Sequence, residues 1–189
     1  MMSEGMMFLL DALLQPFAAI LLFRFHAVWL RTPMRNPIGE FIMAITDFIV
    51  LPLRKHLPAV AGLDSATFLL ALLAELLYLS ALFMVQGDLS HGFPLVGLLT
   101  LTLVKLLKIS VYLLMAVVFA QAILSWVNPH SPVAPMLSSV SHRFLQPLRK
   151  VVLMAGSVDL SPMLLLVACQ LIVIVPIGAL ERLTLGLFF

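Results

Sequence analysis

The chain has 189 residues, of which 62% are hydrophobic and only 11% charged. A soluble domain of this length needs far more polar surface to cover its core, so the expected solvent is lipid. Eleven Lys and Arg against nine Asp and Glu leave a net charge of +2, and no direct nucleic-acid partner is expected.

A membrane span needs about 20 mostly apolar residues. Four stretches qualify, at about 5–29, 66–85, 109–127 and 161–180, the third with an apolar lead-in from about Gly92. The first carries Asp11 towards one end and Arg24 and His26 towards the other, with Pro16 inside as a candidate kink. Glu4, Asp11 and the lack of a basic leader or cleavage site argue against a secretory signal. Cys169 is the single cysteine, so neither an internal disulfide nor a cysteine metal cluster is expected.

Two short connections break the chain at Thr32-Pro33 and Asn36-Pro37. Beyond them Ile38, Phe41, Ile42, Ile45 and Ile49 recur on one helix face, with Glu40, Ala44 and Asp47 opposite. This predicts an amphipathic helix over about 38–51, too short to span and suited to lying in the membrane interface. A re-entrant hairpin or burial against the spans is the competing reading. Pro52-Leu53-Arg54-Lys55 is expected to end that helix, because proline interrupts the hydrogen-bond ladder. Gly62 and Asp64 then form a turn, with Asp64 or Ser65 capping the next span.

The second half repeats the first. Pro147-Leu148-Arg149-Lys150 matches Pro52-Leu53-Arg54-Lys55 at an offset of 95 residues, and the same offset pairs Pro37 with Pro132 and Asp64 with Asp159. Residues 1–94 and 95–189 are therefore two copies of one unit. In the second, Val133, Met136, Leu137, Val140 and Phe144 form the apolar face of a helix over about 133–146, with Ser138, Ser141 and His142 off that face. Gly156 and Asp159 form the turn, and Ser161-Pro162 reads as a capping hydroxyl followed by proline at the first helical position. Asp64 and Asp159 are expected to act as caps or as partners of Arg54 and Arg149. The predicted fold is all-α, with four transmembrane helices in two parallel tandem repeats, each with a cytoplasmic interfacial amphipathic helix.

Two spans per unit bring both copies into the membrane the same way up, related by an axis along the membrane normal. Arg31, Arg35, Arg54, Lys55, Arg143, Arg149 and Lys150 fall in the two long connections, while residues 86–93 hold no Lys or Arg. The positive-inside rule then places both connections in the cytoplasm and both termini outside. Anionic headgroups are the expected contacts of the four PLRK cations.

Inside the spans the polar residues are few. Glu75 and Gln170 are equivalent, near the helix centres, as are His26 and Gln121. Lys105 and Lys108 share a membrane layer with Asp11, which suggests an ion pair between Asp11 and one of them. Glu75 and Gln170 are expected to interact between the second and fourth spans.

Ser125-Trp126, Ser131-Pro132, Gln146-Pro147-Leu148-Arg149-Lys150, Gly156 and Asp159-Leu160-Ser161-Pro162 resemble the bacterial YggT family, whose members carry one or two copies of this unit. The chain is similar to the two-copy form over nearly its whole length. It departs at the turns, where the family often has Pro-x-x-Gly-Gly before the aspartate. Here Pro58 precedes a single Gly62, and Leu153 stands where the proline belongs, before Gly156-Ser157. The resemblance implies an integral protein of the bacterial cytoplasmic membrane, linked to osmotic-stress tolerance, to cell division and nucleoid distribution, or in plastids to haem attachment on cytochrome b6.

The residues themselves give no catalytic constellation: no Gly-rich phosphate loop, no paired carboxylates at catalytic spacing and no metal-ligand cluster. His26, His56, His91, His130 and His142 are scattered, the mate of His26 is Gln121, and no CxxCH motif is present, so neither a haem nor any other cofactor is expected. Two functions remain. One is a non-enzymatic structural or assembly factor that holds other membrane or division proteins. The other is a small ion or solute pathway, which needs a homo-oligomer because one chain has too few polar groups to line a pore.

Overall fold

The computed structural model describes residues 2–59, 62–86, 94–150 and 159–186. Their regular elements are all helices, with no strand among the described residues. The order is α1 (Met2–Trp29), α2 (Pro37–Arg54), α3 (Ser65–Gln86), α4 (Leu95–Val127), α5 (Ala134–Arg149), α6 (Ser161–Ile172), a π-helical turn (Val173–Ile177) and α7 (Gly178–Leu185). Four stretches are long and apolar enough to cross a membrane: Glu4–Trp29, Ser65–Val85, Leu95–Val127 and Ser161–Leu185. The fold is thus an all-α membrane bundle of two tandem units.

The third span starts earlier than its apolar core suggested. All 33 residues from Leu95 to Val127 form one helix. At 1.5 Å per residue it is about 50 Å long, well beyond a hydrocarbon layer of about 30 Å. The fourth span is interrupted instead, because Pro176 lacks a donor and the ladder re-registers as the π-turn.

The two units run parallel. Leu10 and Leu14 of α1 pack with Leu98 and Leu101 of α4. Phe23 and Leu30 at the far end of α1 pack with Val117 and Leu124 at the far end of α4. Both long connections therefore leave the bundle at the same end. They touch there: Asn36 Nδ2 donates to Met136 Sδ at 3.3 Å, across 100 residues.

α2 and α5 pack as the connections' own helices, each turning a hydroxyl-bearing face towards the spans. α2 buries Gly39, Ile42, Thr46 and Val50, while Ile38 and Phe41 are exposed and Phe48 is 70% exposed. α5 buries Met136, Leu137, Val140, Ser141 and Leu145, so Ser141 faces inward, not off the packing face. A polar contact to the spans, described below, selects each face. Asn36 caps α2 by accepting from Gly39 N at 3.0 Å. A Cβ on Gly39 would lie 2.2 Å from the Met34 carbonyl oxygen, so this turn requires glycine.

Candidate functional site

Three kinds of polar feature stand out in the apolar bundle: two corners, two latches and one layer inside the spans.

At the first corner α2 continues through Pro52 to Arg54, two residues beyond the proline expected to end it. A proline in the last turn removes only one donor, and the helix closes at Lys55, whose N–H bonds Pro52 and Leu53 carbonyls. Arg54 then reaches ten residues ahead. Its Nε lies 3.2 Å from both Asp64 carboxylate oxygens, and its Nη2 also bonds Asp64. Asp64 caps α3, accepting from Thr67 N at 3.4 Å and from the Thr67 hydroxyl. Burial alone raises the Asp64 carboxyl's proton affinity, but the Arg54 and Thr67 hydrogen bonds outweigh it and hold the group below its usual range. Gly62 enters the turn at φ +81°, open to glycine without strain.

The second corner repeats this. α5 runs through Pro147 to Arg149, and Lys150 N–H closes it on Pro147 and Leu148 carbonyls. Arg149 Nε lies 2.8 Å from Asp159 Oδ2. Asp159 Oδ1 accepts from Ser161 N at 2.9 Å. Leu160 holds the N-cap position of α6 without a side-chain cap, the Ser161 N–H is satisfied by Asp159 one residue further out, and Pro162 lies in the first turn. Burial pushes the Asp159 carboxyl up, but its bonds to Ser161 and Arg149 bring it below the usual range. Lys55 and Lys150 are exposed. Gly156 lies outside the described residues.

The latches escaped the sequence reading. Thr46 on α2 and Ser141 on α5 are equivalent at the 95-residue offset, and each donates its hydroxyl one turn back, to Ile42 and Leu137 carbonyls. Each also meets a polar side chain of the preceding span. Arg24 Nη1 donates to Thr46 Oγ1 at 2.6 Å and lies 2.7 Å from Asp47 Oδ1. Ser141 bonds the Gln121 side-chain oxygen. The signal was present: a hydroxyl at the same register of both helices, four residues after an apolar anchor.

The polar layer lies at the other end of the bundle. Lys105 and Lys108 do not pair with Asp11. Lys105 Nζ is 3.0 Å from Glu181 Oε1, and Lys108 Nζ is 2.8 Å from Oε2. Asp11 instead accepts from the Tyr78 hydroxyl at 2.6 Å. A common depth does not fix the direction a side chain takes around the helix, and α7 brings Glu181 onto the lysine face of α4.

Glu75 and Gln170 do not meet either. Glu75 is 0% exposed on α3, and neither carboxylate oxygen has a hydrogen-bond partner. Gln170 is exposed on the outer face of α6. α3 is enclosed by α1, α2 and α4, whereas α6 lies against α4 and α5, so equivalent positions acquire different surroundings. Among the described residues no three of His, Cys, Asp and Glu gather closely enough to hold a metal ion.

Comparison with known proteins follows the same two-unit division. Residues 3–85 and 100–180 each match the CCB3/YggT family. The chain belongs to the CCB3/YggT family. It is 31% identical over 166 residues to "Uncharacterized protein YggT" of Escherichia coli K12, covering 87% of this chain and 85% of that one. A protein of Vibrio alginolyticus named for the proC 3′ region is 30% identical, over 88% of this chain and 90% of its own length. An uncharacterised protein of Pseudomonas aeruginosa is 28% identical over 97% of this chain and 93% of its own. No solved structure matches. The family segments contain both Arg–Asp corners and both latches, while Glu181 lies just past the second segment.

Proposed function

We propose that this CCB3/YggT protein is a non-enzymatic organiser of the bacterial cytoplasmic membrane, without a cofactor. Its termini lie in the periplasm and its PLRK corners in the cytoplasm. It holds other membrane or division proteins, and through them supports osmotic tolerance.

The observation that supports this reading is the fixing of α2. The Arg54–Asp64 pair anchors one end and the Arg24–Thr46 bond its middle. Ile38, Phe41, Phe48 and Leu51 remain exposed along it. A rigid helix with an uncovered apolar side at an interface suits lipid or a partner helix. Lys55 and Lys150, both exposed, supply cations for anionic headgroups.

A pull-down of the full chain from mild detergent tests the proposal. Paired replacement of Phe41 and Phe48 by Ser should remove the membrane proteins that co-purify, with the folded level unchanged. Retention of the same proteins would contradict it.

Glu75 supports a second reading, an ion or solute pathway built by a homo-oligomer. A buried carboxyl without a partner is costly unless it has a task. Uptake or conductance in liposomes, lost on Glu75→Gln, would favour that reading over the first.

A further inference from the structure

A groove of about 230 Å³ opens between α1, α4 and α5, where the two units meet. Phe23 and Leu30, Leu114 and Val117, and Val140 and Phe144 form its walls. The lining is otherwise apolar, and two of its polar atoms are satisfied within their own helices. Ser110 Oγ donates to the Leu106 carbonyl at 2.8 Å, and His26 Nδ1 lies 2.7 Å from the Leu22 carbonyl. Such a lining offers little to water, and a smaller engineered apolar cavity of about 150 Å³ already stays dry and takes up benzene. The wall segments, Phe23–Leu30 and Ser110–Val117, each rise about 10 Å along their helices.

One rim of the groove is charged. Trp29 lines it, and the Arg143 guanidinium carbon lies 6.0 Å from the Trp29 ring centroid. Arg143 is exposed and, among the described residues, has no carboxylate partner. It is therefore an unneutralised cation beside an aromatic ring of the kind that marks the headgroup level.

We propose that this groove is a phospholipid site, with one acyl chain between α1 and α4 and an anionic headgroup against Arg143. The shape decides against a second copy. A helix with its side chains is about 10–12 Å across and does not fit a groove of this volume, whereas a single hydrocarbon chain does. The charge favours an anionic over a zwitterionic headgroup, since a cation near such a surface contributes about 1 kcal/mol. The inference rests on the membrane reading of the bundle but not on which face is cytoplasmic.

Trp29 and Trp126 are the two tryptophans of the chain, so Trp126→Phe leaves the groove residue as the single reporter. The full-length variant is placed in nanodiscs with equal leaflets. Fluorescence quenching is measured with phosphatidylglycerol or phosphatidylcholine brominated in the acyl chain. Quenching by phosphatidylglycerol should reach half its maximum at about fivefold lower mole fraction, the preference expected of one cation at a headgroup. Arg143→Gln, at an exposed position, should abolish that preference and keep the quenching itself. Ser110→Phe should weaken quenching by both lipids. Equal quenching by the two lipids would overturn the proposal, as would a preference that survives Arg143→Gln. So would Val111→Cys chains, made with Cys169→Ser, that form disulfide dimers while neither lipid quenches, because a second copy would then fill the groove. Equal leaflets make the result independent of topology, which residue labelling tests separately.

Discussion

Arg149 reaches Asp159 at 2.8 Å across the same ten residues over which Arg54 holds Asp64. The two corners share their ten-residue spacing but not their bonding or surroundings. The Asp64 side chain is 4% exposed, and the Asp159 side chain 30%. Breaking a buried charge-assisted bond costs about 1–3 kcal/mol, whereas an exposed pair contributes about 0–1 kcal/mol. Asp64→Asn should therefore lower the melting temperature in detergent clearly more than Asp159→Asn. Equal losses would mean that burial does not set the strength of the corner.

The pH dependence of that corner follows from the depressed Asp64 carboxyl. Its contribution is complete above the unfolded carboxylate value of about 4 and is lost only as pH falls through the lower folded value. Melting temperatures of wild type and Asp64→Asn should keep a constant gap from pH 7 to pH 5. The gap should close in stronger acid. A gap that closes between pH 7 and pH 5 would show the carboxyl to be raised instead.

Glu181 bonds both Lys105 and Lys108, so its removal leaves two cations in the spans without a partner. Each unpaired charge costs up to about 2.5–3.5 kcal/mol at the bilayer centre and less towards the interface. Glu181→Gln should sharply reduce the folded protein recovered from membranes. Combining Glu181→Lys with Lys108→Glu should restore part of it. Asp11→Asn, which keeps an oxygen to accept from the Tyr78 hydroxyl, should cost less than Glu181→Gln. A larger loss at Asp11 would contradict the Glu181 pairing.

Glu75→Gln copies the residue at the equivalent position of the second unit. The carboxyl group is enclosed and makes no hydrogen bond, so a neutral amide of the same shape should be tolerated. The variant should be at least as stable as wild type in detergent melts and should support wild-type growth at high osmolarity. A stable variant that fails in that growth test would favour the pathway reading.

The repeat made much of this structure legible before any coordinates. One offset of 95 residues places both corners, and the charges of Arg54, Asp64, Arg149 and Asp159 suggest their pairing. What the offset supplies is depth along the helix, not direction around it. Lys105 and Lys108 share the depth of Asp11 yet turn to Glu181, on a helix beyond the π-turn at Pro176. Gln170 and Glu75 are equivalent in the repeat, but one is exposed and the other enclosed. The apolar stripe of α2 was equally visible, but not the side that packs on the spans: Thr46 turns inward with Ile42 and Val50 and meets Arg24, and Phe41 turns out.

The central relationship is that both units enter the membrane the same way up, with their PLRK corners on one face. Cysteine accessibility in intact cells tests it directly, with Lys55→Cys, Lys150→Cys and Ser90→Cys introduced singly into a Cys169→Ser chain. Positions 55 and 150 should react only with reagents that reach the cytoplasm, and position 90 with reagents outside. Labelling of 55 and 150 from opposite faces would contradict the parallel arrangement. Labelling of both from outside would reverse the proposed orientation and leave the arrangement intact.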